Sequence, residues 1–326
     1  MYATRPIDSS ANMPTIQVQW KGPNGSGPEW VPLKQDWSER WCTLPDRFTN
    51  EFALRIRDFE TRSSDVFLVT FMKSGTTWMQ ELAWLLLNQL DYEAAQSSYA
   101  MVRSPYLERS ILYPDAPDSI ARCDKMKDNP RLIKSHLPAQ LLPEQLWKQG
   151  RKIIYVARNP KDVVVSSYHY ATGLNYWHGS FDKYVDEFVS DKIPYNPYWA
   201  HVIDFYRMRD EENVFFVTYE EMSRNLQDVI RRLSRFLGCK ELTESEMDKL
   251  LNHLSFKNMK ESKYGDQTGL LKALHKSDDD FQFMRRGIVG SHKDELGAEN
   301  KDKIDKLTCT FLKKYGLSEA DIFGVI

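Results

Sequence analysis

Short apolar runs followed by helical periodicity recur along the chain from Asp65 onward. The clearest run is VFLVTF at residues 66–71, which leads into TTWMQELAWLLLNQL. Similar runs are RLIKS at residues 131–135, KIIYVA at Lys152–Ala157 and VFFVT at Val214–Thr218. Continuous rather than alternating apolar runs are typical of parallel strands buried on both faces. The pattern predicts an α/β fold, a doubly wound parallel sheet with helices on both faces, with ligands beyond the carboxyl ends of the strands.

The first part of the chain lacks this pattern. Residues 1–30 carry several glycines and prolines, and we predict that this N-terminal segment is loosely ordered. The alternation in TIQVQW at Thr15–Trp20 also permits an edge strand. Because 326 residues suit one large α/β domain, we expect residues 31–326 to form a single domain.

One helix is predicted after VFFVT. Apolar residues from Met222 to Leu237 recur at helical spacing on one face. Gly238 follows them, and glycine is common just beyond the end of a helix. We therefore predict a continuous helix that ends at Gly238.

Composition limits the kinds of molecule that the protein is expected to bind. The 46 acidic and 44 basic residues give a formal net charge of -2, so no general attraction to nucleic acid or to an anionic membrane is expected. The four cysteines form no CxxC pair, which indicates reduced thiols rather than a metal site or a disulfide framework. The chain has no apolar leader and no uncharged apolar stretch of ~18 residues, and we predict a cytoplasmic protein.

The first predicted strand ends in a candidate anion-binding loop that resembles a P-loop in its parts. Lys73 brings a positive charge, Gly75 permits close approach of the backbone, and Ser74, Thr76 and Thr77 add hydroxyl donors at the start of a helix. GxxxxGK[ST] is absent, which makes a magnesium-nucleotide kinase less fitting. The alternative is that the hydroxyl side chains simply cap the helix.

A second strand exit has similar chemistry. Asn159 is a candidate N-cap and Pro160 a candidate first helical residue. Arg158 at the strand end can bind a phosphate through its planar guanidinium, and Ser166 can reach the same side two turns later. The alternative for Arg158 is a structural ion pair.

A third strand exit supplies a candidate base. His136 follows RLIKS, and histidine, with a reference pKa of ~6.5, can take a proton from a hydroxyl or amine acceptor near neutral pH. Lys134 lies two residues earlier on the same face of the strand and can offset negative charge. The alternative is a structural histidine.

Four segments together resemble the cytosolic sulfotransferases. FMKSGTTW (71–78) resembles their 5′-phosphosulfate loop, and YVARNPKDVVVSSYHY (155–170) their 3′-phosphate motif. KSHLP (134–138) is similar to KTHLP, which carries the catalytic histidine. FMRRGIVGSHKDEL (283–296) resembles the C-terminal signature RKGxxGDWKxxF, although Ser291-His292 stands where Asp-Trp is usual. The resemblance implies that 3′-phosphoadenosine 5′-phosphosulfate (PAPS) is the donor, that PAP is the product and that no metal is required.

The resemblance also implies the site residues. Trp78 and Tyr219 would contact the adenine, and Ser255-Phe256 would lie near the purine. From the residues alone, Trp78 and Tyr219 would more often be packed core aromatics. His136, Lys73 and Lys134 would be catalytic in an in-line displacement. The implied donor-binding set is Lys73, Ser74, Gly75, Thr76, Thr77, Trp78, Arg158, Ser166, Tyr219, Ser255, Phe256, Phe283, Met284, Arg285, Arg286 and Gly287.

The acceptor is expected in a pocket formed by the variable stretches 101–113, 168–177 and 264–283. Their aromatic residues suit a small acceptor such as a phenol, sterol, retinoid or other alcohol. His169 is a further candidate on this side. The aromatic residues in question are Tyr106, Tyr113, Tyr170, Tyr176, Trp177 and Phe281.

Three questions stay open at the level of sequence. Some insect relatives dehydrate an allylic alcohol such as retinol through a transient sulfate, and this alternative fits the same motifs. The altered Ser291-His292 also permits a PAPS-binding protein with little activity. A homodimer is one candidate assembly, but the KxxxTVxxxE dimerisation motif of the family is not clearly present.

Overall fold

The computed structural model describes residues 2–22, 27–113, 117–127, 130–274 and 280–324. The strands in these ranges are β1 (Tyr2–Pro6), β2 (Thr15–Trp20), β3 (Cys42–Pro45), β4 (Val66–Thr70), β5 (Leu132–Ser135), β6 (Lys152–Ala157) and β7 (Val214–Thr218). The helices are α1 (Asn50–Arg57), α2 (Thr76–Leu87), α3 (Tyr92–Ser97), α4 (Ala100–Arg103), α5 (Ser119–Asp124), α6 (Glu144–Lys148), α7 (Pro160–Gly173), α8 (Phe181–Val189), α9 (Tyr198–Arg207), α10 (Tyr219–Arg224), α11 (Leu226–Leu237), α12 (Glu244–His253), α13 (Phe256–Lys260), α14 (Thr268–Leu274), α15 (Ala298–Lys313) and α16 (Glu319–Phe323). Within these ranges, no helix combines the length and apolar composition that a bilayer crossing requires.

The central sheet is parallel, with strand order β5-β4-β6-β7. This order confirms the doubly wound prediction, because β4 has later strands on both sides. The switch point lies between β4 and β6, and ligands of such sheets bind in the crevice outside the strand ends there. The two segments predicted to bind phosphate follow these two strands.

Alternate residues of the strands pack into two separate cores, one on each face of the sheet. Phe67 and Val69 of β4 belong to one core, while Val66 and Leu68 belong to the other. All five residues of β4 are buried. The continuous apolar runs therefore arise because helices cover both faces of the sheet.

The N-terminal residues form a second sheet, which differs from the prediction. Strands β1, β2 and β3 are antiparallel, and β2 lies in the centre rather than at an edge. Tyr2, predicted to lie in a loosely ordered segment, is buried and packs its ring 4.8 Å from that of Trp20. Pairing of β2 with β1 and β3 orders these residues, and pairing of this kind leaves no local pattern in the sequence that would predict it. Residues 23–26 of the segment lie outside the described ranges.

The helix predicted after β7 is two helices. Asn225 lies between α10 and α11 with φ −150°, and its side chain accepts a hydrogen bond from the backbone N–H of Asp228. An asparagine side chain readily forms such a capping hydrogen bond, so a new helix begins after Asn225 although the apolar face continues. The predicted end at Gly238 is confirmed, with φ 76°.

Candidate active site

A cavity of about 470 Å³ lies beyond the carboxyl ends of the parallel strands. It collects residues from the loops that follow β4, β5, β6 and β7, from the segment before α5 and from residues 283–291. Among the described residues, no Asp or Glu lines the cavity. The cationic side chains in its wall are Lys73, Arg109, Lys134, Arg158, Arg285 and Arg286. A wall with these charges favours an anionic ligand.

The loop after β4 has the backbone that the sequence predicts. Gly75 precedes α2 with φ 93°, and a Cβ added to it would lie 2.6 Å from Cδ2 of Tyr219. Only glycine satisfies both the left-handed backbone and this close approach. No side chain caps the start of α2, so the hydroxyl residues are not there as helix caps. Ser74 lies beneath the loop rather than in the cavity wall, and its Oγ is buried without a hydrogen-bond partner among the described residues.

Lys73 concentrates positive charge at the mouth of this loop. Its Nζ lies 4.6 Å from the ring centre of Tyr170 and 4.7 Å from that of Phe283. Burial and the nearby charges of Arg158, Lys134 and Arg285 lower the pKa of Lys73 to about 7. A bound anion would relieve this mutual repulsion.

Arg158, at the end of β6, connects the loop after β6 to the loop after β4. Its guanidinium donates to the backbone carbonyl of Lys73 at 3.2 Å and lies 3.7 Å from the Asp162 carboxylate. The structural ion pair is therefore present, yet Nε of Arg158 is buried without a partner among the described residues. Asn159 caps α7 by accepting from the N–H of Lys161 at 2.9 Å, with Pro160 as its first residue, as predicted.

The C-terminal segment brings two more arginines to the cavity. Arg285 pairs with Glu295, and Arg286 pairs with Asp294. Gly287 has φ 68°, and a Cβ added there would lie 2.1 Å from Cδ2 of Phe256. The sequence predicted the arginines but not these acidic partners, which follow them in the same loop.

Ser291-His292, which departs from the family pattern, has a defined role in the fold. Asp162 accepts hydrogen bonds from the N–H of Gly290 at 2.8 Å and from both the N–H and Nδ1 of His292 at 2.9 Å. Burial alone would raise the pKa of Asp162, but these hydrogen bonds and Arg158 hold it at about 2. The Asp162 carboxylate, which belongs to α7, therefore holds in place the loop that contains Arg285 and Arg286.

The residues predicted near the purine form another part of the wall. Trp78 and Tyr219 are in edge contact, with ring centres 5.6 Å apart. Nε1 of Trp78 is buried without a partner among the described residues. Ser255 caps α13 through the N–H of Asn258 at 3.3 Å. Of the predicted donor-binding and catalytic residues, those in the cavity wall are Lys73, Gly75, Thr76, Thr77, Trp78, Lys134, His136, Arg158, Ser166, Tyr219, Ser255, Phe256, Phe283, Met284, Arg285, Arg286 and Gly287.

His136 is buried at the cavity with one ring nitrogen engaged. Its Nδ1 lies 2.7 Å from the carbonyl oxygen of Thr70, so Nδ1 donates and Nε2 keeps its lone pair. Glu108 accepts from the N–H of His136 at 2.6 Å and from Ser135 at 2.9 Å, which fixes the backbone of this turn. Burial, with Lys134 as the next cause, keeps the pKa of His136 well below its usual value. The imidazole is therefore neutral at physiological pH. Nothing local in the sequence signals Thr70 or Glu108.

The other end of the cavity is aromatic. Tyr106, Tyr113, Tyr170, Tyr176 and Trp177 line it as predicted. The hydroxyl groups of Tyr113 and Tyr170 are 3.4 Å apart.

Several details of this end differ from the prediction. Phe281 packs on Leu174 and Leu271 instead of lining the cavity, and His169 pairs with Glu295 outside its wall. Residues 275–279 of the predicted acceptor stretch lie outside the described ranges. Wall residues without a sequence motif include Ala11, Met13, Arg109 and Tyr195. Among the described residues, no group of His, Cys, Asp and Glu side chains is arranged to hold a metal ion.

Comparison with known proteins identifies the family. Residues 63–316 match the family model of the sulfotransferase domain. Luciferin sulfotransferase of Photinus pyralis is 37% identical over 276 residues, which cover 79% of this chain and 74% of that protein. Sulfotransferase 1B1 of Canis lupus familiaris is 32% identical over 260 residues, which cover 79% of this chain and 86% of that protein.

Solved structures agree at the level of the fold. Retinol dehydratase in complex with androsterone and the inactive cofactor PAP superposes with a TM-score of 0.83, at 24% identity and 98% coverage of both chains. The match to the family model covers most of the chain, and the cavity wall contains the predicted donor-binding residues except Ser74. The chain therefore belongs to the sulfotransferase family and is a PAPS-dependent sulfotransferase.

Proposed function

We propose that this sulfotransferase transfers the sulfuryl group to a hydroxyl of a small apolar or aromatic acceptor, with His136 as the general base. The contact between Nδ1 of His136 and the carbonyl of Thr70 carries the proposal. It leaves Nε2 unprotonated, and no described residue forms a hydrogen bond to Nε2. A neutral imidazole in a cavity wall is suited to take the proton of an acceptor hydroxyl.

Buried polar groups in the wall and beneath its loop fit the donor. Ser74 Oγ, Trp78 Nε1 and Arg158 Nε are buried polar groups without partners among the described residues. Such groups are stabilised by a ligand that supplies hydrogen-bond acceptors. When bound, PAPS supplies the sulfuryl group and a phosphate leaving group. We propose that Lys73 to Thr77 bind the 5′ side and that Arg158, Ser166 and Arg285 bind the 3′-phosphate.

Two lysines are proposed to support the transfer. Burial lowers the pKa of Lys134 to about 8, so the ammonium form still predominates at pH 7. Its Nζ lies 4.6 Å from the ring centre of Tyr106, next to His136. With Lys73, it provides positive charge where negative charge develops during transfer.

The aromatic end of the wall supports a phenol, sterol, retinoid or similar alcohol as the acceptor. Tyrosine and tryptophan rings bury flat apolar surfaces well. The names of two similar proteins, luciferin sulfotransferase and the retinol dehydratase bound to androsterone, agree with this class. Four free cysteines, two of them buried, support the proposed location in the cytoplasm. The homodimer stays a prediction that sedimentation equilibrium can test.

Incubation with ³⁵S-labelled PAPS and a panel containing 2-naphthol, a hydroxysteroid and retinol tests the proposal. We expect a labelled sulfate ester of at least one of them. Tight PAP binding without transfer to any acceptor would contradict it. With retinol, an unlabelled dehydrated product would identify the elimination reaction instead.

A further inference from the structure

We propose that Arg109 determines acceptor specificity by binding a carboxylate, so that the preferred acceptor is a hydroxylated aromatic or polycyclic acid. This inference rests on the proposed transfer to a hydroxyl next to His136. It adds a second recognition point at the opposite end of the acceptor.

Arg109 lies in the cavity wall and is joined to Tyr106, whose ring contacts that of the proposed base. It begins a 3₁₀ turn at Arg109–Ile111, and its N–H donates to the carbonyl of Tyr106 at 3.2 Å. The ring of Tyr106 lies 5.2 Å from that of His136. Tyr106 therefore connects the turn that carries Arg109 to the ring of the proposed base.

The charge of Arg109 lacks a counter-ion among the described residues. Its Nη1 lies 3.4 Å from Sδ of Met101, and its guanidinium lies 4.8 Å from the ring centre of Tyr113. By contrast, the other three arginines of the wall each contact a carboxylate; they are Arg158, Arg285 and Arg286. Within the described ranges a thioether and an aromatic face contact this half-buried guanidinium, which keeps donors available for a ligand.

The tyrosines near Arg109 do not neutralise it. Burial raises the pKa of Tyr106, Tyr170, Tyr176 and Tyr195, so these phenols stay uncharged at neutral pH. No Asp or Glu lines the cavity in the described part of the chain. Among the described residues no carboxylate pairs with Arg109, so a carboxylate on the acceptor can supply the compensating charge.

The position of Arg109 assigns that charge to the acceptor rather than to the donor. Its contacts are Met101 and Tyr113, both in the stretch predicted to face the acceptor, and its charge acts on Tyr170 and Tyr176 at the aromatic end. A single guanidinium balances one negative charge and matches a carboxylate in two parallel hydrogen bonds. A doubly charged phosphate ester would leave one charge uncompensated.

The test measures binding to the PAP-loaded full-length protein with three fluorescent probes. These are 6-hydroxy-2-naphthoic acid, its methyl ester and 2-naphthol. The variants are Arg109→Gln and Arg109→Lys, with Arg122→Gln as the matched control. Arg122 is exposed and contacts the backbone carbonyl of Met101 at 3.5 Å, but it does not line the cavity. Thermal melting checks that each variant is folded.

We expect the wild-type protein and Arg122→Gln to bind the acid roughly ten-fold more tightly than the ester. Arg109→Gln should abolish this preference, and Arg109→Lys should retain part of it. Equal affinity of the wild-type protein for acid and ester, or equal weakening of both in Arg109→Gln, would overturn the inference.

A parallel assay of labelled sulfate transfer to the same probes separates the two proposals. Transfer to 2-naphthol without any preference for the acid would overturn the inference and support the proposed function. Tight, Arg109-dependent binding of the acid without transfer to any probe would support the inference and count against the proposed function.

Discussion

Nδ1 of His136 lies 2.7 Å from the carbonyl oxygen of Thr70, the last residue of β4. A carbonyl can only accept, so the contact fixes the tautomer of the imidazole. The same strand continues into Lys73 and the anion-binding loop. The proposed base and the proposed donor loop therefore share one rigid support, which favours a constant distance between the two reacting groups.

Replacing the imidazole tests its role as a base. His136→Ala should lose turnover by a factor of ~10² or more, because the described part of the cavity wall contains no second histidine to replace Nε2. PAP affinity, measured by calorimetry, should stay within about three-fold, since the donor contacts lie on other loops. The control is His178→Ala, because His178 is exposed and does not line the cavity. Unchanged turnover in His136→Ala would contradict the assignment of His136 as the general base.

Donor affinity should depend on pH through Lys73. Its pKa in the free protein is about 7, and a bound anion favours the charged form and raises that pKa. Affinity for PAP should thus be highest below pH 7 and fall by up to roughly ten-fold per unit as pH rises above it. Calorimetric titrations between pH 7 and 8 measure this slope.

Lys73→Arg is the matched variant, because guanidinium stays protonated throughout this range. Its PAP affinity should fall less steeply than the wild-type affinity, with the remaining slope coming from Lys134, whose pKa is about 8. Phosphate groups, whose second pKa is near ~6, are already ionised above pH 7 and contribute little to the slope. A wild-type affinity that is independent of pH would contradict the assignment of Lys73.

The close approach at Gly75 predicts a specific defect. Gly75→Ala would force a Cβ to within 2.6 Å of Tyr219 and strain a left-handed residue by about 1–2 kcal/mol. Gly150→Ala is the control, because Gly150 also has a positive φ but nothing within 4 Å of the added Cβ. Both variants should lose stability in urea unfolding. Only Gly75→Ala should also lose PAP affinity, and equal affinities would show that the loop tolerates the displacement.

Asp162 should be necessary for the C-terminal loop. Asp162→Ala removes the acceptor of four hydrogen bonds, from Gly290, Ser291 and twice from His292. A loss of about 3 kcal/mol in the free energy of unfolding is expected for a buried charged partner. Asp228→Ala, which breaks an exposed pair with Arg232, should cost below about 1 kcal/mol.

The same carboxylate predicts an acid limit. The pKa of Asp162 is about 2 in the folded protein, below its ordinary value. Its contribution is therefore complete above the pKa of the unfolded chain, ~3.9, and is lost as pH falls toward 2. The stability difference between the wild-type protein and Asp162→Ala should shrink over this window. A difference that stays constant down to pH 2 would mean that the ionised carboxylate is not the stabilising group.

Features carried by contiguous residues could be predicted from the sequence. The loop at Lys73 follows directly from a buried strand, a glycine and a helix start, and Asn159-Pro160 is a local capping signal. The order β5-β4-β6-β7 then brings separate strand exits to one edge, as a doubly wound sheet requires.

Contacts between distant residues could not be predicted in this way. Thr70, Glu108 and Tyr195 reach the site through the fold, and no spacing in the sequence links them to His136. The burial of Tyr2 depends on pairing of β1 with β2, and a strand of that kind carries little signal of its own. The ion pairs of Arg285 and Arg286 could not be predicted for another reason. Their partners, Asp294 and Glu295, occupy positions that the family motif leaves unspecified.

The connection between β1 and β2 also contributes to the acceptor end, since Ala11 and Met13 line the cavity. Asn12 holds this connection in place by donating from its N–H to the carbonyl of Tyr176 at 2.9 Å and from its side chain to that of Asn175 at 3.0 Å. The stretch matched by the family domain begins only at residue 63. A loop exchange that is meant to transfer acceptor preference between relatives would therefore have to include both these N-terminal residues and the turn after α7. Either segment alone would not fit the part of the pocket that it contacts.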